Sequence, residues 1–203
     1  MAFFHNRTVN LLNLHYVVGS IATGGGGAFF SAYLLRAGLS VPSVLLSLAA
    51  IFGMRLIIRS FLLPLAVRTG LRWLVVIGVI LKAASYPVLA EVQGVGTGLY
   101  WLILITAMAD TVYWPSYHAY FAALGDADHR GQQLGIREAV VASLSIVMPL
   151  AAGFLLVNFG PRVAFVATAV AQLFSALERS MGPRTYPIQS HREAPLLQWP
   201  RST

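Results

Sequence analysis

Residues 41–67 read VPSVLLSLAAIFGMRLIIRSFLLPLAV, an apolar run whose only charges are Arg55 and Arg59, and the basic turn Arg68-Thr69-Gly70-Leu71-Arg72 follows it at once. A helix needs about 20 predominantly apolar residues to cross a hydrocarbon core near 30 Å, so this run is long enough to span a bilayer. Five more apolar segments surround it, approximately 11–35, 73–90, 99–123, 139–159 and 163–177, with short connections between them. None shows the polar and apolar alternation of a half-buried strand, and a lipid-facing backbone must satisfy its own hydrogen bonds. The sequence therefore predicts an all-α membrane protein with six transmembrane helices.

Composition agrees with that reading. Hydrophobic residues make up 57% of the 203 and charged residues only 10%, against roughly 25% charged in an ordinary soluble domain. The net charge of +7 does not point to nucleic acid, because the cations are scattered through loops between apolar runs instead of clustering on one face. With no cysteine, disulfides, thiolate metal sites and cysteine nucleophiles are excluded. No G-x-S-x-G, H-E-x-x-H or G-K-[ST] pattern occurs, so the chain is not expected to be an enzyme, and no cofactor is expected.

Placement of the arginines orients the chain. With a cytoplasmic amino terminus, inside loops and tails hold Arg7, Arg68, Arg72, Arg130, Arg137, Arg179, Arg184, Arg192 and Arg201, and outside loops hold only Arg36 and Arg162, as the positive-inside rule requires. The predicted organisation is a cytoplasmic amino terminus at 1–10, a six-helix transmembrane domain at 11–178 and a disordered cytoplasmic tail at 179–203. The sixth apolar segment is short, about 15 residues or roughly 22 Å of helix. The Pro-, Arg- and Ser-rich sequence after Glu178 is compatible with a chain truncated or altered in frame there, or with a natural tail. The expected location is an integral one in a bacterial-type inner (plasma) membrane.

Ionisable side chains at mid-bilayer cost about 2.5 to 3.5 kcal/mol each on insertion scales, so each asks for a partner or a function. Arg55, Lys82 and Asp110 fall near the middles of the second, third and fourth segments. One reading pairs Asp110 with Arg55 or Lys82 inside the bundle and uses the surplus positive charge to admit an anionic solute. The other is a structural salt bridge. Trp114, Tyr117 and His118 follow Asp110 along one side of the fourth segment, as a stripe able to hold an organic solute or as an interfacial aromatic belt. Gly24 to Gly27 lets the first helix flex or another helix approach closely. His15, Asn13, Arg137 and Glu138 are placed at the cytoplasmic mouth.

An internal echo joins two turns: Val67-Arg68-Thr69-Gly70-Leu71-Arg72 parallels Val157-Asn158-Phe159-Gly160-Pro161-Arg162, 90 residues on. With three segments between them the turns fall on opposite sides of the membrane, as in an inverted repeat. Physically, Gly70 suits a reversal at φ > 0, and Arg68 and Arg72 suit helix-end carbonyls and anionic headgroups.

The first of these turns resembles the major facilitator loop G-x-x-x-D-R-x-G-R-R. Arg68, Gly70 and Arg72 match, whereas Leu63, Val67 and Leu71 stand where the first Gly, the Asp and an Arg are expected. Arg130-Gly131 with Gly135 is similar to the R-G-x-x-x-G entrance of the family's fifth helix, and Pro115 lies in the fourth segment as it does there. The resemblance covers about residues 10–177. It implies the amino-terminal half of a secondary transporter of the major facilitator superfamily, a half bundle of 3+3 inverted repeats working by alternating access. It also implies a gating role for Arg68, Gly70, Arg72, Arg130 and Gly131, and a pathway role for Asp110, because the first and fourth helices line the family's cavity. Twelve spans are usual in the family, so the expected partners are the lipid bilayer, a small solute such as an organic anion, and a second six-helix half or a second copy. A six-helix subunit or scaffold acting only within a larger complex is the alternative.

Overall fold

The structure, a computed structural model, describes residues 7–124 and 130–180. Most of the tail expected at 179–203, and residues 1–6 of the expected cytoplasmic amino terminus, lie outside the described residues. Among the described residues every element is helical: α1 (Arg7–Gly25), a 3₁₀ turn (Gly27–Phe29), α2 (Phe30–Arg36), α3 (Val41–Thr69), α4 (Leu71–Ala90), α5 (Thr97–Leu124) and α6 (Arg130–Ser180). Four stretches are long and apolar enough to cross a membrane: Val9–Arg36, Val41–Thr69, Leu71–Ala90 and Gly131–Ser175. The fourth apolar segment, now α5, is not among them, since its Tyr and Trp residues and Asp110 dilute its hydropathy.

Local sequence explains where the helices begin and end. Ser40 caps α3, its hydroxyl accepting from the Ser43 N–H at 3.4 Å, and a proline in the first turn loses no helical hydrogen bond. Gly70 separates α3 from α4 at φ 80°, ψ 148°, and Gly160 interrupts α6 at φ 82°, ψ 168°. Pro161 follows Gly160 and favours extended backbone in the residue before it, so α6 is two helices, 130–159 and 161–180, meeting at a sharp turn. Both glycines occupy a region of φ/ψ space that is essentially closed to other residues, at a cost of about 1 to 3 kcal/mol. Gly70→Ala and Gly160→Ala should each lower the thermal unfolding midpoint in detergent. Gly53→Ala, in mid-helix with open space around its Cα, should not.

Among the described residues, two buried clusters hold the bundle. One joins Leu34, Leu89, Leu102 and Phe165, and the other joins Val9, Val75, Val79, Tyr117 and Phe121. Helix α1 packs chiefly on α6, α3 on α5, and α4 on both α5 and α6. The glycine run is where α6 reaches α1: Cβ atoms added to Gly24 and Gly25 would meet Met148 at 3.4 Å and Ala152 at 3.5 Å. Beyond the carboxyl end of α4, Glu91 pairs with Arg162 at 3.0 Å. That contact fixes the Gly160 turn at the opposite end of α4 from Gly70. Outside, Leu46, Leu56, Phe61 and Leu63 of α3 and Ile146, Leu150 and Val157 of α6 are exposed. Such a surface is solvated by lipid chains and not by water.

Candidate functional site

Asp110 of α5 meets two cations from two other helices. Its Oδ1 lies 3.2 Å from Lys82 Nζ of α4, and its Oδ2 lies 3.5 Å from Arg55 Nη1 of α3. The aromatic residues that follow Asp110 serve the same cluster: Lys82 Nζ sits 4.8 Å from the Tyr113 ring centroid and 4.7 Å from that of Trp114, where ring quadrupoles attract a cation. Arg55 stands 5.3 Å from the Phe52 ring centroid. Two cations and one carboxylate leave a formal charge of +1. The Lys82, Asp110 and Arg55 side chains are 13%, 21% and 31% exposed, so each keeps some access to the spaces around it.

Among the described residues, three cavities border this cluster. The first, of about 210 Å³, lies among α1, α4, α5 and α6 and takes in Lys82, Trp114, Ser20, Ser145 and Gln172. The second, of about 240 Å³, has Arg55, Arg59, Asp110 and Trp114 on its wall. In the third, of about 220 Å³, all three charged groups of the cluster meet Thr23, Tyr86 and Thr106. Thr23 and Lys82 border both the first and the third, and Trp114 separates the first from the second. The arrangement is a carboxylate shared between cations that open onto different spaces, and an entering anion can compete with Asp110 for either one.

A second polar group lies further along α5. Tyr117, fully buried, accepts a 2.9 Å hydrogen bond from Arg137 Nη1, and Arg137 also donates to Glu138 Oε1 at 2.6 and 3.1 Å. The guanidinium is 4.1 Å from the Tyr16 ring centroid and 5.2 Å from that of Phe121. Buried His15 donates from Nδ1 to the Ser175 carbonyl at 2.6 Å, which leaves Nε2 to accept from the Tyr113 hydroxyl at 3.3 Å. His118 is exposed, with its ring 5.8 Å from Trp114 and nearly parallel to it.

Of the residues singled out from sequence, Asp110, Arg55 and Trp114 therefore come together, Tyr117 belongs to the Arg137 group, and His118 lies on the outside of Trp114. Arg68 closes the last turn of α3, Gly70 makes the turn and Arg72 opens α4. Arg130 and Gly131 begin α6, away from that turn in sequence and next to residues outside those described. Sequence reasoning missed Gln172, Ser20 and Ser145, polar residues inside apolar helices, and the burial of His15 and Arg137. Mid-helix polarity was the available signal for the first three. For His15 and Arg137, position near a helix start gave no sign of burial, because the facing aromatic residues come from other helices.

The sequence model described as the Major Facilitator Superfamily matches residues 12–200. No curated protein and no solved structure matches the chain.

Proposed function

Because the chain belongs to the Major Facilitator Superfamily, a family of transmembrane transporters and not normally of enzymes, we propose that it carries a small solute by alternating access as all or part of a secondary transporter. Asp110, Arg55, Trp114, Tyr117 and His118 are assigned to the pathway, and Arg68, Gly70, Arg72, Arg130 and Gly131 to gating. The observation that carries this reading is Asp110 held between Lys82 and Arg55 with cavities on their several sides. The residual positive charge favours an organic anion.

The proposed architecture is six spans over 11–178, with α1 and α2 as one span and α6 supplying two. The part of α6 after Gly160, residues 161–180, is 20 residues or about 30 Å long, enough for a span. Support for a 3+3 inverted repeat comes from Gly70 and Gly160, whose φ and ψ nearly coincide and which lie at opposite ends of α4. It comes also from two tight crossings: Gly78 follows Gly70 by eight residues, as Thr168 follows Gly160. An added Cβ on Gly78 would fall 2.8 Å from Tyr113 of α5, and one on Gly26 would fall 2.6 Å from Thr168. In each case the helix after the turn touches the first helix of the other triplet.

The arginine asymmetry supports a cytoplasmic amino terminus, and the membrane is proposed to be a bacterial-type inner one. A second six-helix unit, from another copy or another polypeptide, is proposed to face the exposed part of the bundle. The half-open first cavity equally suits the second reading, a subunit or scaffold that acts only within a larger complex.

The test is uptake into proteoliposomes. Uptake of labelled organic anions should follow an imposed proton or sodium gradient and collapse when an ionophore dissipates it. Uptake indifferent to every gradient argues for facilitated diffusion and against ion coupling, and no uptake from the chain alone or with a partner half supplied argues for the scaffold.

A further inference from the structure

Two ionic side chains stand apart from the cluster around Asp110. Arg59 is exposed on α3 and has no counter-ion among the described residues. Glu138 of α6 is half exposed; its Oε1 takes both contacts from Arg137, and its Oε2 has no partner among the described residues. Acyl chains suit neither. Arg59 stands ten residues before the end of α3, about 15 Å of helix, further than an arginine side chain reaches toward headgroups. A charge at that depth faces a partner or water.

The two lie at nearly one depth. Arg55 marks the level of Asp110, and Arg59 is one turn on, about 6 Å nearer the Gly70 end of the bundle. Along α5, Tyr117 lies about 10 Å beyond Asp110 toward the same end, and there it accepts from Arg137, the neighbour of Glu138. The difference of about 4 Å is within the length of an arginine side chain. They also border one face. Arg59 and Trp114 share the wall of the second cavity, and Trp114 shares the wall of the first with Val141 and Ser145, which follow Glu138 on its side of α6. Trp114 and the exposed His118 of α5 form the middle of this face, with a cation on the α3 edge and an anion on the α6 edge.

Such a face is complementary to itself. A half turn about an axis along the membrane normal keeps every residue at its depth and exchanges the edges, so the α3 edge of one copy meets the α6 edge of the other. We propose that two copies of this chain associate by this face, Arg59 of each pairing with the partner's Glu138, and Trp114 and His118 of both copies facing each other across the axis. A different polypeptide would have to supply a carboxylate and a cation at these same depths, and this chain already carries both. The proposal names the partner of the transport site. It rests on the transport reading for the use of the enclosed space, not for the association.

Because the chain has no cysteine, cross-linking of the full chain in membranes of the producing cells tests the contact. Copies with Arg59→Cys and differently tagged copies with Glu138→Cys, produced together, should be joined by a short bifunctional thiol reagent. Val166→Cys, exposed on the part of α6 after Gly160, should join to neither. Arg59→Glu alone or Glu138→Arg alone sets like charges together twice in each dimer, and should weaken association by about a hundredfold or more, read from particle mass against concentration. Mixing these two variants, or placing both substitutions in one chain, restores opposite charges at both contacts and should recover the dimer, a result that misfolded chains do not give. The dimer is overturned by single copies at every concentration, by Val166→Cys joining as readily as the Arg59→Cys and Glu138→Cys pair, by single variants that associate like the wild type, or by no recovery in either restored combination. Arg59→Cys joined to another polypeptide and not to Glu138→Cys gives the face to that partner and overturns it too. Uptake by single copies sinks the dimer alone, whereas a dimer without uptake of any solute supports the face and counts against the transport reading.

Discussion

Asp110→Asn is expected to reduce uptake to background and to destabilise the chain, because it removes the one carboxylate that Lys82 and Arg55 share. An unpaired cation near the bilayer centre costs about 2.5 to 3.5 kcal/mol on insertion scales, and breaking a buried pair by removing one partner costs about 3 to 5 kcal/mol. Neither figure applies in full. Arg55 is 31% exposed and sits at a long 3.5 Å, so solvent in the adjoining cavities screens it, and the Tyr113 and Trp114 rings still stabilise Lys82. A net loss of about 2 kcal/mol is the expectation. It is measured as a lower thermal unfolding midpoint in detergent, with Asp110→Glu less affected.

The partner substitution separates stability from function. Lys82→Met in the Asp110→Asn background removes the cation that lost its counter-ion, so the double variant should recover most of the stability. Uptake of an anion should not return, because the charge proposed to admit it has gone as well. Wild-type stability in Asp110→Asn alone would show that the 3.2 Å contact with Lys82 is energetically idle, and would leave Asp110 without the role given to it.

How much of this was visible in the residues alone varies from one element to the next. The helices were legible because apolar runs of bilayer length leave the backbone no other way to satisfy its hydrogen bonds. The break at Gly160 was legible too, as Gly followed by Pro, and its likeness to Gly70 in sequence is matched by similar dihedral angles. Partnerships across the bundle were harder to read. Helical spacing places Asp110 and Trp114 on one side of α5, but it does not say that α3 and α4 both deliver a cation to that side. Nor does it say that Tyr117, two turns on from Asp110, ends against Arg137 from α6. Periodicity gives the direction in which a side chain points, and only the packing of other helices decides what it meets there. The polar lining of the first cavity was hidden for a related reason. Ser20 and Ser145 read as donors until their protons are traced to their own helices.

The other large effect is expected at the crossing of α4 and α5. A Cβ on Gly78 would lie 2.8 Å from Tyr113 Cα and Cβ and 2.9 Å from its backbone nitrogen. No rotamer moves those atoms, so Gly78→Ala must push the two helices apart. Overpacking of this kind costs about 1 to 3 kcal/mol, which outweighs the gain of up to about 1 kcal/mol from replacing a mid-helix Gly by Ala. Lys82 lies one turn beyond Gly78, and Asp110 lies three residues before Tyr113. Separation at this point therefore lengthens the 3.2 Å ion pair as well, and uptake should fall further than stability alone requires. The crossing of α1 and α6 provides the contrast. A Cβ on Gly26 would meet Thr168 Cγ2 at 2.6 Å and Oγ1 at 2.9 Å, with Cβ at 3.1 Å, so most of the obstruction is side chain. Thr168→Ala should rescue Gly26→Ala, whereas Tyr113→Ala should not rescue Gly78→Ala, because the obstructing atoms survive that substitution. Rescue at Gly78 by Tyr113→Ala would mean that α4 and α5 are not held in backbone contact there, and the position of Lys82 against Asp110 would need another cause.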